Sequence, residues 1–317
     1  MKISLIIRCY NEERHIGRLL AGIAQQTEPD SEIILVDSGS TDRTLEIARQ
    51  YPVKIVTLRP DEFSFGYSLN LGCRAAQGEF LVIASAHVYP LYQDWLAQMV
   101  APFDDPRTGL VYGRQRGADN TKYAEKQVFA QWFPDVSQAG QTHPFCNNAN
   151  AAVRRSLWEA NPYDESLTGL EDLAWARQLL AGGQYHLTYN ADAEVVHVHE
   201  ETWTQVHNRY RREAIAFKRI FPQERFGVRE LARLFCGNVA SDYYHALRDG
   251  ALRAHWRGIP LFRAMQFWGA YRGYAHQGPL TRELRERFYY PRGLNRATAP
   301  RPLRAAVNYR AILDEAA

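Results

Sequence analysis

The strongest constraint on this chain is a rhythm in its first hundred residues. Short, mostly apolar runs halt at polar turn residues and pass into helical patterning. Ser4-Leu5-Ile6-Ile7-Arg8-Cys9 halts at Tyr10-Asn11-Glu12-Glu13, and Ile33-Ile34-Leu35-Val36 halts at Asp37-Ser38-Gly39-Ser40-Thr41-Asp42. Continuous apolar runs of this length suit strands covered on both faces, as in a parallel sheet. Strands are expected at 3–9, 32–37, 53–58, 79–84 and 109–113, with helices at 12–26, 42–51, 67–77 and 91–103. This alternation predicts an α/β fold built from βαβ units. Ligands of such sheets bind beyond the carboxyl ends of the strands, so Tyr10 to Glu12 and Asp37 to Asp42 are expected to meet in one crevice. The second of these segments offers a carboxylate, hydroxyls and backbone amides, a set that suits a base and a ribose. No G-x-G-x-x-G follows the first strand and no G-x-x-x-x-G-K-[ST] occurs, which disfavours a dinucleotide fold and a P-loop ATPase.

The remaining length is enough for a second domain or an extension. Charge divides the chain the same way. Residues 1–202 carry 17 Lys and Arg against 26 Asp and Glu, whereas residues 203–317 carry 21 against 9, all but Lys218 being Arg. A basic second half suits a phosphate-rich ligand or an anionic membrane surface, or is simply a solvated face. Its cations are dispersed over helical patterning without a nucleic-acid motif, so nucleic acid is not an expected partner. Cys9, Cys73, Cys146 and Cys236 lack paired spacing and read as reduced thiols of a cytosolic protein. Met1-Lys2 leads directly into the first strand, so no leader is expected, and no apolar run approaches the ~18 residues a bilayer span needs.

Beyond residue 113 the rhythm breaks. Residues 114–146 read as polar loops with an aromatic run, Gln131-Trp132-Phe133-Pro134, suited to a pocket rim, an interface or the packing face of a surface helix. A helix is expected at 170–182, strands near 185–189 and 193–199, and an all-helical tail from about 203. Within that tail Gly258 to Arg272 has apolar residues spaced for a helix face, a pattern that fits either a membrane interface or packing on the rest of the protein or a second copy.

Four segments together resemble the inverting glycosyltransferases of family 2, which have the GT-A (nucleotide-diphospho-sugar transferase) fold. They are Tyr10-Asn11-Glu12-Glu13, Asp37 to Thr44, the strand end at 80–90, and Gly169-Leu170-Glu171-Asp172. The resemblance spans about residues 2–200 and is greatest to bacterial rhamnosyltransferase-like members that build cell-surface polysaccharides. It implies a mostly parallel central sheet over residues 1–202, with 203–317 as an α-helical extension for membrane, acceptor or dimer contacts. It implies that Arg8, Tyr10, Asn11, Glu12, Asp37 and Ser85 bind the nucleotide, Asp37 through its base. Asp172 would be the general base, with Glu171 beside it, and Asn148, Asn150 and Trp175 would touch the donor or acceptor sugar. The donor would be a UDP- or dTDP-linked sugar, the acceptor a glycan or lipid-linked hydroxyl, and the setting the cytoplasm, peripheral to the inner face of the cell membrane.

One segment departs from the family. Where Asp-x-Asp usually holds ribose and a divalent metal, this chain has Ser85-Ala86-His87. Two readings stay open. In the first, His87 ligates Mn²⁺ or Mg²⁺ with help from His197 or His199, a pair two residues apart. In the second, the transferase works without metal and cations stabilise the leaving diphosphate. Rival functions are a non-catalytic sugar-nucleotide or glycan binding protein, which the missing Asp-x-Asp motivates, and a sugar-1-phosphate nucleotidyltransferase. The latter needs a basic, Gly-rich loop after the first strand, where this chain is acidic.

Overall fold

A computed structural model describes residues 2–28, 30–275 and 304–311. Four parallel strands begin the sheet: β1 (Ile3–Cys9), β2 (Ser31–Asp37), β3 (Val53–Thr57) and β4 (Phe80–Ser85), in the order β3-β2-β1-β4. Between them run α1 (Ile16–Ile23), α2 (Thr44–Ala48) and α3 (Phe65–Ala75). The strands fall within a residue of their expected bounds because both faces are covered. Ile3, Leu5 and Ile7 of β1 join the core under α1, while Ile6 joins the core on the opposite face with Leu69 and Cys73 of α3. That is the period-2 alternation of a strand with two buried faces. On α1 the buried Ile16, Leu19, Leu20 and Ile23 form one helical stripe.

After β4 come β5 (Val88–Pro90), α4 (Trp95–Val100), β6 (Thr108–Gly117), α5 (Tyr123–Trp132), β7 (Gln138–Gln141), β8 (Asn150–Arg154), α6 (Arg155–Ala160), α7 (Glu171–Ala181) and β9 (His186–His197). The sheet continues β4-β8-β6-β9-β5, with β7 on β9. Strand β8 is antiparallel to both β4 and β6. The segment expected to be loop at 114–146 therefore holds a helix and an edge strand. The two strands expected at 185–189 and 193–199 are one, with a shift of register opposite Gly113 and Gln115 of β6.

The extension is helical as expected: α8 (Trp203–Ile220), α9 (Val228–Arg248), α10 (Leu252–His255) and α11 (Gly258–Tyr274). Thr202 and Gln205 form a capping box that starts α8. The division at 202 marks the start of a helix and not the edge of a core. Val206, Tyr210 and Phe262 pack with Ala124 and Val128 of α5, and Ala214 and Phe217 pack with Leu167 and with Leu173 of α7. Helix α11 lies so close to α8 that a Cβ on Gly269 would stand 2.4 Å from the His207 carbonyl oxygen, and one on Gly273 would stand 2.6 Å from that of Arg211. Of the fits open to the apolar face of Gly258 to Arg272, packing on the rest of the protein takes most of it, leaving a stripe with Leu261, Trp268 and Arg272 exposed. None of the described helices is long and apolar enough to cross a membrane.

Residues 304–309 return to the sheet. Ala306 bridges to Tyr92, Arg304 pairs with Asp94 at 2.6 Å, and the Tyr309 hydroxyl donates to the Pro90 carbonyl at 2.7 Å. The Arg18 guanidinium lies against both the Tyr89 and Tyr309 rings.

Candidate active site

The carboxyl ends of β1 and β4, the amino end of α7, the end of β9 and one face of α5 and α8 enclose a cavity of about 600 Å³. The expected crevice forms at its β1 side. The Asn11 side-chain oxygen accepts from the Thr41 amide at 2.8 Å, and the Asn11 and Glu12 amides donate to the Ser40 and Thr44 hydroxyls. Asp37 lies beneath this loop, 1% exposed, its carboxylate accepting from the Gly39 and Ser40 amides at 3.0 and 3.1 Å. The left-handed backbone of Gly39 (φ 88°) lets those amides turn back onto it. Burial, with Asp37 alongside, raises the pKa of the Cys9 thiol.

Arg8, Asn11, Glu12, Ser85, His87, Asn148, Glu171, Asp172, His197 and His199 all line the cavity, and Tyr10, Asp37, Asn150 and Trp175 do not. Two of these four need correction. The Asn150 side chain is spent inside the sheet, accepting from the Trp95 indole at 3.0 Å and donating to the Ala193 carbonyl at 2.8 Å. Trp175 is core, packed near Tyr163 with its indole N–H on the Asn161 carbonyl. The resemblance implies a sugar contact for both, whereas the fold engages their polar atoms internally. Tyr10 is 55% exposed, outside the cavity wall.

Asp172 sits in the first turn of α7, presented by Gly169 (φ 155°) and Leu170 (φ 58°). Among the described residues only Asn11 and Leu170 are non-glycines with positive φ, and both line the cavity, as backbone strain at functional sites does. One Asp172 oxygen accepts from the Asn148 amide at 2.9 Å, the other from the Leu173 amide at 2.8 Å. Burial and the adjacent Glu171 charge push its pKa up to about 7. Glu171 pairs with Arg8 at 3.3 Å.

Across the cavity wall is a cluster of imidazoles. The ligand atoms of His87, His197 and His199 lie within 4.8 Å of one another. His197 Nε2 and His199 Nε2 are 3.0 Å apart. Their Nδ1 atoms are engaged by Gln115 Oε1 and Glu125 Oε1, each at 2.7 Å, and His87 Nδ1 by Glu12 Oε1 at 2.7 Å. Two acceptors on Nδ1 leave the Nε2 lone pairs of His197 and His199 facing each other, an arrangement that calls for a cation between them. Burial, then the neighbouring imidazoles, lowers the His197 pKa. Burial alone would raise Glu125, but the His199 hydrogen bond and Arg209 hold it down at about 2. Arg209 lies 2.6 Å from Glu125 and 2.7 Å from Glu201. The three histidines and their acceptors therefore fit a divalent cation of the borderline kind.

Gln115, Glu125, Arg209 and Arg212, which also line the cavity, were not singled out from the sequence. Gln115 and Glu125 lie in the segment whose rhythm broke. Arg209 and Arg212 are two arginines among twenty in the second half, with nothing local to distinguish them.

The sequence pattern described as "Glycosyl transferase family 2" matches residues 4–160. The chain is 30% identical over 198 residues to the O-antigen chain rhamnosyltransferase WbaN of Salmonella anatum, covering 59% of this chain and 62% of that protein. It is 29% identical over 223 residues to the O-antigen chain rhamnosyltransferase RfbN of Salmonella typhimurium, covering 66% and 70%. Among solved structures, the mannosyltransferase PcManGT from Pyrobaculum calidifontis, in complex with GDP-Man and Mn²⁺, superposes with a TM-score of 0.59 at 21% identity, over 86% of each chain. Residues 1–349 of S. aureus TarS, in complex with UDP-GlcNAc, give 0.55 at 17% identity, over 86% of this chain and 92% of that one. At these identities the structural likeness speaks for the fold, which is GT-A.

Proposed function

This chain belongs to glycosyl transferase family 2, and from that membership we propose that it is an inverting transferase acting on a nucleoside-diphospho-sugar. Its acceptor is a hydroxyl of a glycan or lipid-linked glycan in bacterial surface polysaccharide synthesis. The observation that carries the reading is Asp172, a buried carboxylate aimed into the cavity whose raised pKa makes it a competent base near neutrality. Asp172 takes the proton from the acceptor hydroxyl. That oxygen bonds to the anomeric carbon, and the bond from that carbon to the diphosphate oxygen breaks on the opposite face. The nucleoside lies over Asn11, Glu12 and the Gly39–Thr41 loop, with Asp37 below holding that loop in shape. Arg8 holds Glu171 in place beside the base, and Ser85 is set to meet the ribose. His87, His197 and His199 would hold a divalent cation, which supplies positive charge to the leaving diphosphate. Both O-antigen relatives are rhamnosyltransferases, which favours a dTDP- or UDP-linked deoxyhexose.

The test is hydrolysis of UDP-, dTDP- and GDP-sugars by the purified chain, each with Mn²⁺, Mg²⁺ or EDTA. One nucleotide class is expected to be released faster than the others, and faster by wild type than by Asp172→Asn. Equal rates for wild type and Asp172→Asn would sink the assignment of the base.

We also propose that the extension rests on an anionic membrane surface. In support, the exposed Tyr244, Trp256 and Trp268 each lie within 6.0 Å of an arginine, Arg248, Arg257 and Arg272, and aromatic rings beside cations suit an interface. The full chain is expected to float with phosphatidylglycerol vesicles and not with phosphatidylcholine ones. The double variant Trp256→Ser, Trp268→Ser is expected to lose that binding. If wild type stays at the bottom with both lipids, the surface serves something else.

A further inference from the structure

Among the described residues four arginines line the cavity: Arg8, Arg14, Arg209 and Arg212. Three are already neutralised. Arg8 pairs with Glu171, Arg14 with Glu200, and Arg209 with both Glu125 and Glu201. The guanidinium of Arg212 makes no ion pair or hydrogen bond with any described residue. It is nevertheless placed. Its Cζ stands 4.7 Å from the centre of the Phe65 ring, the same ring that Arg8 meets at 4.9 Å. A Cβ on Gly169 would stand 3.8 Å from its Nε, which puts the guanidinium in contact range of the turn that leads into Glu171-Asp172. A contact with a ring face orients a guanidinium while leaving all five N–H donors available.

The rest of the cavity favours such a cation. Among the described residues seven carboxylates line it, those of Glu12, Glu125, Glu171, Asp172, Glu200, Glu201 and Glu213. A nucleoside diphosphate entering this wall meets like charge unless free cations offset it.

Resting on the transferase reading above, we propose that Arg212 of α8 binds the terminal phosphate of the donor's diphosphate and stabilises it as the leaving group. As the bond from the anomeric carbon breaks, its electron pair stays on the phosphate oxygen, which Arg212 contacts through N–H donors, while the acceptor's proton goes to Asp172. The helical extension is then part of the active site, and a chain ending at 202 lacks a catalytic residue.

The experiment compares affinities of the full chain for UDP, dTDP and GDP with those for UMP, dTMP and GMP, by calorimetry in Mn²⁺. Wild type is expected to prefer the diphosphate of one base. Arg212→Ala is expected to weaken that diphosphate about 10- to 100-fold, the worth of a charged hydrogen bond, and to leave the monophosphate unchanged. Arg212→Lys should recover part of the loss. No change in diphosphate affinity, or an equal loss for both nucleotides, overturns the assignment while leaving the transferase reading standing. Wild-type protein that binds none of the six overturns both.

Discussion

Asp172→Asn is expected to lower the transfer rate by about 10²- to 10⁴-fold, the usual contribution of a positioned general base, and to leave nucleoside diphosphate affinity unchanged. The substitution keeps the shape and one acceptor for the Asn148 or Leu173 amide, but it removes the lone pair that we propose takes the proton. The pH dependence follows from the environment of the carboxyl. Burial and Glu171 raise its pKa to about 7, so kcat/KM of the wild type is expected to climb roughly tenfold per unit below that pH, then level.

The same shift gives a stability prediction of unusual sign. A carboxyl whose folded pKa lies above its unfolded value, about 3.9, favours folding while protonated. That contribution is fully present below the unfolded value and lost as pH rises through about 7. At pH 8 the wild type buries a charge that Asp172→Asn does not. The variant is therefore expected to melt at the same or a higher temperature at pH 8, with the difference in its favour shrinking toward pH 4. Site residues that cost stability and supply activity behave this way. Melting well below wild type at pH 8 would mean that lost activity reflects lost structure.

Much of this site was legible because its strands are covered on both faces. Leu5, Ile6, Ile7 and Ile34, Leu35, Val36 have no exposed side to encode, so they read as unbroken apolar runs, and the ends of such runs locate the crevice. Where a strand is interior but made of small residues, that signal fails. Asn150-Ala151-Ala152-Val153 is not among the expected strands, and the resemblance implies a sugar contact for Asn150, yet the segment lies in β8, wedged between β4 and β6. Likewise Asn190 and Asp192 suggest a turn within β9. The Asn190 amide instead donates to the Gln98 carbonyl at 2.8 Å, where the register shifts. The least legible parts are the partners of the site residues. Glu125 meets Arg209 across 84 residues of sequence and His199 across 74, and no local pattern relates them. The pairs that orient the histidines and neutralise the arginines are properties of the fold, visible only once α5 and α8 stand on the same cavity.

Glu125→Gln tests the imidazole cluster through one of those partners. Wild type is expected to bind one Mn²⁺ per chain without nucleotide, more tightly than Mg²⁺, because Mn²⁺ accepts imidazole nitrogen more readily than Mg²⁺, which demands near-ideal oxygen coordination. The acceptor on Nδ1 decides how well a histidine does this. Glu125, ionised because its pKa is held at about 2, keeps the proton of His199 on Nδ1 and raises the basicity of Nε2. Removing the charge is expected to weaken Mn²⁺ binding by about 10- to 100-fold, the range for loss of a carboxylate behind a ligating histidine. Arg209 keeps Glu201 at 2.7 Å as a partner, so its position does not depend on Glu125 alone. The measurement is a Mn²⁺ titration followed by electron paramagnetic resonance, with melting curves to show that the variant stays folded. If the wild type binds no Mn²⁺ and transfers sugar equally well in EDTA, the cluster is not a metal centre. The leaving diphosphate would then depend on arginine alone, and losing the unpaired Arg212 would cost the most.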